Sequence, residues 1–142
     1  MSERVSTPWH VWIVAMLTLL WNAFGAVDYV MTQTRNEAYL AAFTEEQLEY
    51  FFNMPIGYEL SWAIAIWTSV LGSIFILLRM KLAVPTFLLS TICFLVGALY
   101  SYIFYPMPGA EVGHMLFSAL IFVVLVFTLW YSWVMSKAGV LK

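Results

Sequence analysis

Few side chains in this sequence could do chemistry, and their placement limits what kind. Asp28, Arg35, Glu59, Glu111 and His114 are ionisable groups bordering long apolar stretches, and Asn22 is the amide inside one of them. Such groups are costly in hydrocarbon and so are default site candidates. Were they to converge on one outward-facing polar pocket, they would bind a small polar solute, with Asn22 as a mid-helix ligand and Asp28 and Glu59 at the mouth. The competing reading is that Arg35 neutralises a nearby acid and the others are solvated, since exposed ion pairs do little.

Metal and covalent chemistry find less support. Glu111-x-x-His114 is half of the doubled Glu-x-x-His pattern of di-iron bundles, and no second copy exists. His10 and His114 belong to opposite boundaries, roughly 25–30 Å apart by helix rise, too far to share an ion or a haem. There is no glycine-rich phosphate loop, nucleophile elbow or Cys-x-x-Cys. The lone Cys93 sits mid-span, where a thiol is usually inert. His114 and Ser118, one turn apart, read as an interhelical hydrogen-bond pair. No catalysis, cofactor or metal is expected.

The elements that must position these groups follow from composition. The chain has 142 residues, 63% hydrophobic and 10% charged, with mean hydropathy +0.88. Soluble domains carry about 25% charged residues, so this chain cannot cover a water-facing surface. Net charge −2 with six Lys and Arg excludes a nucleic-acid binder, and one cysteine excludes a disulfide scaffold. Charges divide the sequence into four uncharged runs, each at least as long as the ~20 residues that span a bilayer. The expected fold is an all-α membrane protein, a single domain over 1–142. It is a four-transmembrane-helix bundle with helices at about 8–32, 57–79, 82–105 and 111–137. Thr7 and Pro8 open the first as N-cap and first-turn proline. Arg79-Met80-Lys81 makes a tight turn between the second and third.

With an even number of spans, Arg4, Arg79, Lys81, Lys137 and Lys142 share one side, against Arg35 alone on the other. The positive-inside rule therefore predicts both termini cytoplasmic. A cleavage-like Ala23-Phe24-Gly25 offers a signal-peptide alternative, opposed by Glu3 beside Arg4 and by Asn22 just before the site.

Lipid supplies no hydrophobic drive between helices, so small residues at helical spacing mark the seams. They are Ala15, Thr18, Asn22 and Ala26 in the first helix, and Ala65, Ser69 and Ser73 with Gly72 in the second. Cys93, Gly97 and Ser101 mark the third. His114, Ser118, Ile121, Leu125, Thr128 and Ser132 mark the fourth. A compact bundle would bury all four. In the first outer loop, Thr44-Glu45-Glu46-Gln47 fits a capping box, predicting a short amphipathic helix at about 44–53.

Leu20-Trp21-Asn22 with Gly25, Trp62-Ala63-Ile64-Ala65-Ile66, Leu71-Gly72-Ser73 and Leu77-Leu78-Arg79 with Ala83-x-Pro85 run in order along the chain. With the Met- and Glu-bearing outer loop, they resemble small four-helix bacterial inner-membrane proteins. Many of those carry the label "sugar transporter", and others have no assigned activity. The resemblance implies a multi-pass protein of the bacterial inner membrane, with small-solute transport by an oligomer as its function. Its motifs are mostly small residues and turn formers and transfer no catalytic residue. The alternative is a non-transporting accessory subunit or scaffold of a larger membrane complex. The lipid bilayer is the partner common to both.

Overall fold

Runs of hydrocarbon length become helices because a helix satisfies its own backbone where no water can. The computed structural model describes residues 5–109 and 111–142. Glu3 and Arg4, counted above for orientation, lie outside the described residues. Along the chain come α1 (Trp9–Gln33), the short α2 (Glu37–Leu40) and α3 (Glu45–Phe52), then α4 (Ile56–Leu77) and α5 (Ala83–Leu99). A π-helical segment, Tyr100–Phe104, continues α5, and α6 (Val112–Lys137) follows. Four of these, counting α5 with its extension, are long and apolar enough to cross a bilayer. The chain is a multi-pass helical membrane protein. The bounds of its four long helices and of α3 lie within two residues of those expected, whereas α2 and the π-helical continuation of α5 were not expected.

Caps explain the ends. Thr44 accepts from the Gln47 N–H at 3.2 Å and the Gln47 side chain returns a bond to the Thr44 N–H at 3.1 Å, completing the expected capping box. The expected Thr7 cap is not made: Pro8 is the N-cap of α1, without a side-chain bond. Thr7 instead accepts from the Arg79 guanidinium at 2.9 Å. Helix α1 stops at Arg35 in the left-handed region (φ 51), with Asn36 N–H bonded to Met31 O and Arg35 N–H to Thr32 O. This is the Schellman pattern, usually built on glycine. Helices α4 and α6 end the same way, at Arg79 (φ 56) and Gly139 (φ 74).

Helix α4 is the centre, with α1 and α5 packed on it and α6 on α5. Along α4 the buried positions are mostly small or polar. The larger enclosed side chains, such as Phe87 and Ile76, gather towards one end, while most large side chains face out, the arrangement expected in lipid. Ser61, Ala65, Ser69, Gly72, Ser73 and Ile76 form the buried stripe of α4. Asn22 of α1 donates to Ser69 O at 3.1 Å and to Ser73 Oγ at 2.9 Å. On the other flank Ser90 of α5 donates to Ala65 O at 2.7 Å. Gly72 admits the ring of Phe87: a Cβ there would stand 2.9 Å from two ring carbons, and Phe87 is fully enclosed.

Two expected seams differ. In α5 the buried positions are Ala83, Phe87, Ser90 and Thr91, whereas Cys93, Gly97 and Ser101 are half-buried. Close approach still occurs at Gly97, where a Cβ would meet Ser61 Oγ at 3.4 Å. In α6 only the second half of the expected stripe is enclosed, at Leu125, Thr128 and Ser132, together with Tyr131. His114 is exposed and Ser118 and Ile121 are half-buried. The four seams are therefore not all buried, because α6 leans on α5 chiefly through one end.

That end is the basic one, where Arg79, Lys81, Lys137 and Lys142 lie. Val140 and Leu141 fold back into a core of Val11, Ala15, Ile76, Ala83, Phe87 and Tyr131. His10 and Tyr131 share a hydrogen bond of 2.5 Å that ties α1 to α6.

Candidate functional site

At the opposite, acidic end the chain gathers hydrogen-bonding side chains. Of its eight tyrosines, all but Tyr131 lie in the segments towards this end: Tyr29, Tyr39, Tyr50, Tyr58, Tyr100, Tyr102 and Tyr105. Asn36 caps α2 by accepting from the Tyr39 N–H at 3.0 Å, and this one-turn helix returns the Tyr39 ring to α1. There the Tyr39 hydroxyl donates to the Asp28 carboxylate. That bond, then burial, then the negative charge of Asp28 push the Tyr39 phenol up to about 12. The hydroxyl thus stays a donor at any physiological pH.

Arg35 does not meet an acid as the competing reading had it. The left-handed turn directs its guanidinium over the Phe52 ring of α3, 4.2 Å from the centroid, a cation–π contact. Glu59 lies in the first turn of α4 and is half-buried. A carboxylate there is favoured by the helix dipole. Glu111 is the N-cap residue of α6, without a side-chain bond, and is exposed.

The π-helical segment organises the remainder. Its wider turn brings Tyr100 against Gly57, where a Cβ would collide with the Tyr100 hydroxyl. Ser101 stands beside the hydroxyls of Tyr50 and Tyr58. Tyr50 donates to Tyr105 O at 2.7 Å, fastening α3 to the end of the segment. Burial pushes the Tyr50 phenol up, while the Ser101 hydroxyl pulls it the other way. Tyr102 donates to Ser118 Oγ at 2.7 Å, and its ring centroid is 6.1 Å from that of His114. The interhelical hydrogen bond expected of His114 and Ser118 is thus made through Ser118, to a phenol that the π turn presents to α6, while the His114 ring stands beside that of Tyr102.

The six sequence-derived residues thus take different places. Asn22 lies within the α1–α4 contact, Asp28 is joined to Tyr39, and Arg35 to Phe52. Glu59 opens α4, while Glu111 and His114 stay together on α6 beside Tyr102. Two grooves mark the surface. One of about 340 Å³ is lined by Phe122, Val123, Val126, Phe127 and Trp130; the other, about 250 Å³, by Ala26, Val27, Val30, Met31 and Trp67. Both linings are apolar and contain none of the six. Among the described residues no three His, Cys, Asp or Glu side chains come together as a metal would need.

Sequence reasoning missed Tyr39, Tyr50, Ser101 and Tyr102. The crowding of tyrosine into the outer segments was the available signal, since a phenol at a membrane boundary usually finds a polar partner. Comparison with family models, curated proteins and solved structures finds no match for the chain.

Proposed function

We propose that this is a bacterial inner-membrane protein with its basic end cytoplasmic, acting as an accessory subunit that binds another membrane protein through the outer half of α6. The observation that carries the reading is the contrast along that helix. Every buried residue of α6 lies from Leu125 onward, whereas Val112 is 71%, Leu116 65% and Val123 61% exposed. The bare half is not purely lipid-like. Gly113 has open space where a Cβ would stand, and Glu111 and His114 are exposed beside it. Small and polar residues are what membrane helices use to contact one another. Transport within one chain loses support, because the amide of Asn22 is engaged in helix packing.

The test is purification of the full chain in mild detergent after photo-crosslinking from positions 113 and 116. The expected product is a stoichiometric adduct with a different, larger membrane protein. Saturable solute flux by the chain reconstituted alone would overturn the reading. It would favour the second one, a small-solute carrier assembled as an oligomer, for which the Tyr39–Asp28 pair at the acidic end is the supporting feature. Tags at the two ends reporting opposite sides of the membrane would refute the orientation.

A further inference from the structure

The basic end carries more than an orientation signal. The Lys142 N–H donates to Arg79 O at 2.7 Å, and the Lys81 N–H donates to Lys142 O at 2.9 Å. These bonds embrace Met80 as paired parallel strands would, and they hold Arg79, Lys81 and Lys142 side by side from distant parts of the sequence. Leu141, fully buried, and Val140, nearly so, anchor the tail, so the juxtaposition is built into the core. All three cations are exposed. Lys137 sits nearby at the end of α6, its Nζ 5.9 Å from the Trp133 ring centroid. Among the described residues this end holds no Asp or Glu.

Orientation alone does not account for this. The positive-inside effect needs basic residues near the ends of spans, not backbone bonds that bring residue 142 beside the 79–81 turn. Helix α5 begins two residues after Lys81, so the positive end of its dipole adds to the same field. Leu78 and Leu82 flank the turn, 60% and 51% exposed, and mark the hydrocarbon edge directly below the charges. A phosphate seated here has its acyl chains placed against leucine.

We infer that the Arg79–Lys81 turn with Lys142 forms a binding site for the phosphate headgroup of an anionic phospholipid. The adjacent leucines favour a lipid over free phosphate. Each basic side chain near an anionic surface contributes roughly fivefold to binding, so removing two costs about 25-fold.

The test uses the full chain, purified and delipidated in a neutral detergent, with thermal melting followed as lipid is added. Phosphatidylglycerol is expected to raise the melting temperature, whereas phosphatidylcholine and inorganic phosphate leave it unchanged. In Lys81→Gln/Lys142→Gln the half-saturating phosphatidylglycerol concentration should rise about 25-fold, with lipid-free melting as in wild type. Lys81→Arg/Lys142→Arg, which keeps the charge, and Arg35→Gln, at the other end, should respond as wild type. An unchanged midpoint in the Gln variant, an equal effect of phosphatidylcholine, loss of response in the Arg variant, or an equal effect of inorganic phosphate would each overturn the assignment.

Discussion

Replacing Asn22 by leucine separates a packing amide from a ligand-binding one. The Asn22 amide nitrogen gives one hydrogen to Ser69 O at 3.1 Å and the other to Ser73 Oγ at 2.9 Å. Ser73 in turn donates to Ser69 O at 3.1 Å, so three groups on α1 and α4 close a ring. Interhelical side-chain bonds in lipid average about 0.6 kcal/mol and reach ~1.7. Two bonds therefore give roughly 1–3 kcal/mol, the lower end being favoured because Ser73 keeps Ser69 O as its acceptor. Leucine keeps the branched shape but is larger than asparagine, so it leaves no cavity and adds an overpacking cost of about 1–3 kcal/mol that a coupling energy excludes. The assay is reversible unfolding in mixed micelles, run as a double-mutant cycle with Ser73→Ala. A coupling of about 0.5–1.5 kcal/mol is expected. Coupling indistinguishable from zero would refute the argument, as would a variant of wild-type stability that had lost binding or transport.

Other perturbations follow from single contacts. Gly72→Ala puts a methyl into the enclosed ring of Phe87 and should cost about 1–3 kcal/mol, with Phe87→Leu restoring most of it in the same unfolding assay. For Tyr39, a folded pKa raised to about 12 from 10 favours the protonated phenol in the folded state. Its contribution is complete below pH 10 and disappears as the pH rises towards 12; Tyr39→Phe should flatten the melting-temperature loss across that window, and an unchanged slope would count against the bond to Asp28. At Arg35, whose φ is 51, glycine should be more stable than alanine by roughly 1 kcal/mol, the reverse of helix preference. Equal melting of the two variants would mean the left-handed turn is not kept in solution.

What the sequence made legible was one-dimensional. The spacing of charges against the thickness of hydrocarbon gave the number and bounds of the spans, and local bonding gave the capping box at Thr44 and Gln47. Most of the α1 stripe was legible too: Ala15, Thr18 and Asn22 are small or polar residues at helical spacing and are buried, whereas Ala26, the fourth of the stripe, is half-buried. In α5 two neighbouring small-residue stripes compete, Ser90 with Thr91 and Cys93 with Gly97. Spacing does not reveal how far the helix is rotated towards α4; the Ser90–Ala65 bond decides it. The return of Leu141 into the core was hidden because its partners, Val11 and Ile76, are remote in sequence. The π segment was hidden for a related reason: Tyr100–Phe104 differs from an α-helical stretch only through what Gly57 and Ser118 allow its tyrosines to reach.

These contacts divide the bundle into a rigid part and a hinged one. Helices α1, α4 and α5 are joined by buried hydrogen bonds on both flanks of α4, and polar bonds enclosed in lipid have no water to exchange with. Helix α6 is secured at its basic end by the His10–Tyr131 bond and by the core around Tyr131 and Leu141. Towards the acidic end, the Tyr102–Ser118 bond clasps it to the π segment, while Trp21 and Phe117 touch across from α1 with ring centroids 6.1 Å apart. A π turn is well suited to hold such a clasp, because one residue more per turn alters which side chain faces α6 without breaking the helix. Opening the clasp would release the outer half of α6 while leaving the basic end intact, so a partner helix could take the place of Tyr102 without unfolding the rest. On the reading proposed above, the aromatic clasp and the bare helix beyond it would be two parts of one interface, at the end where the tyrosines collect and α6 is least buried.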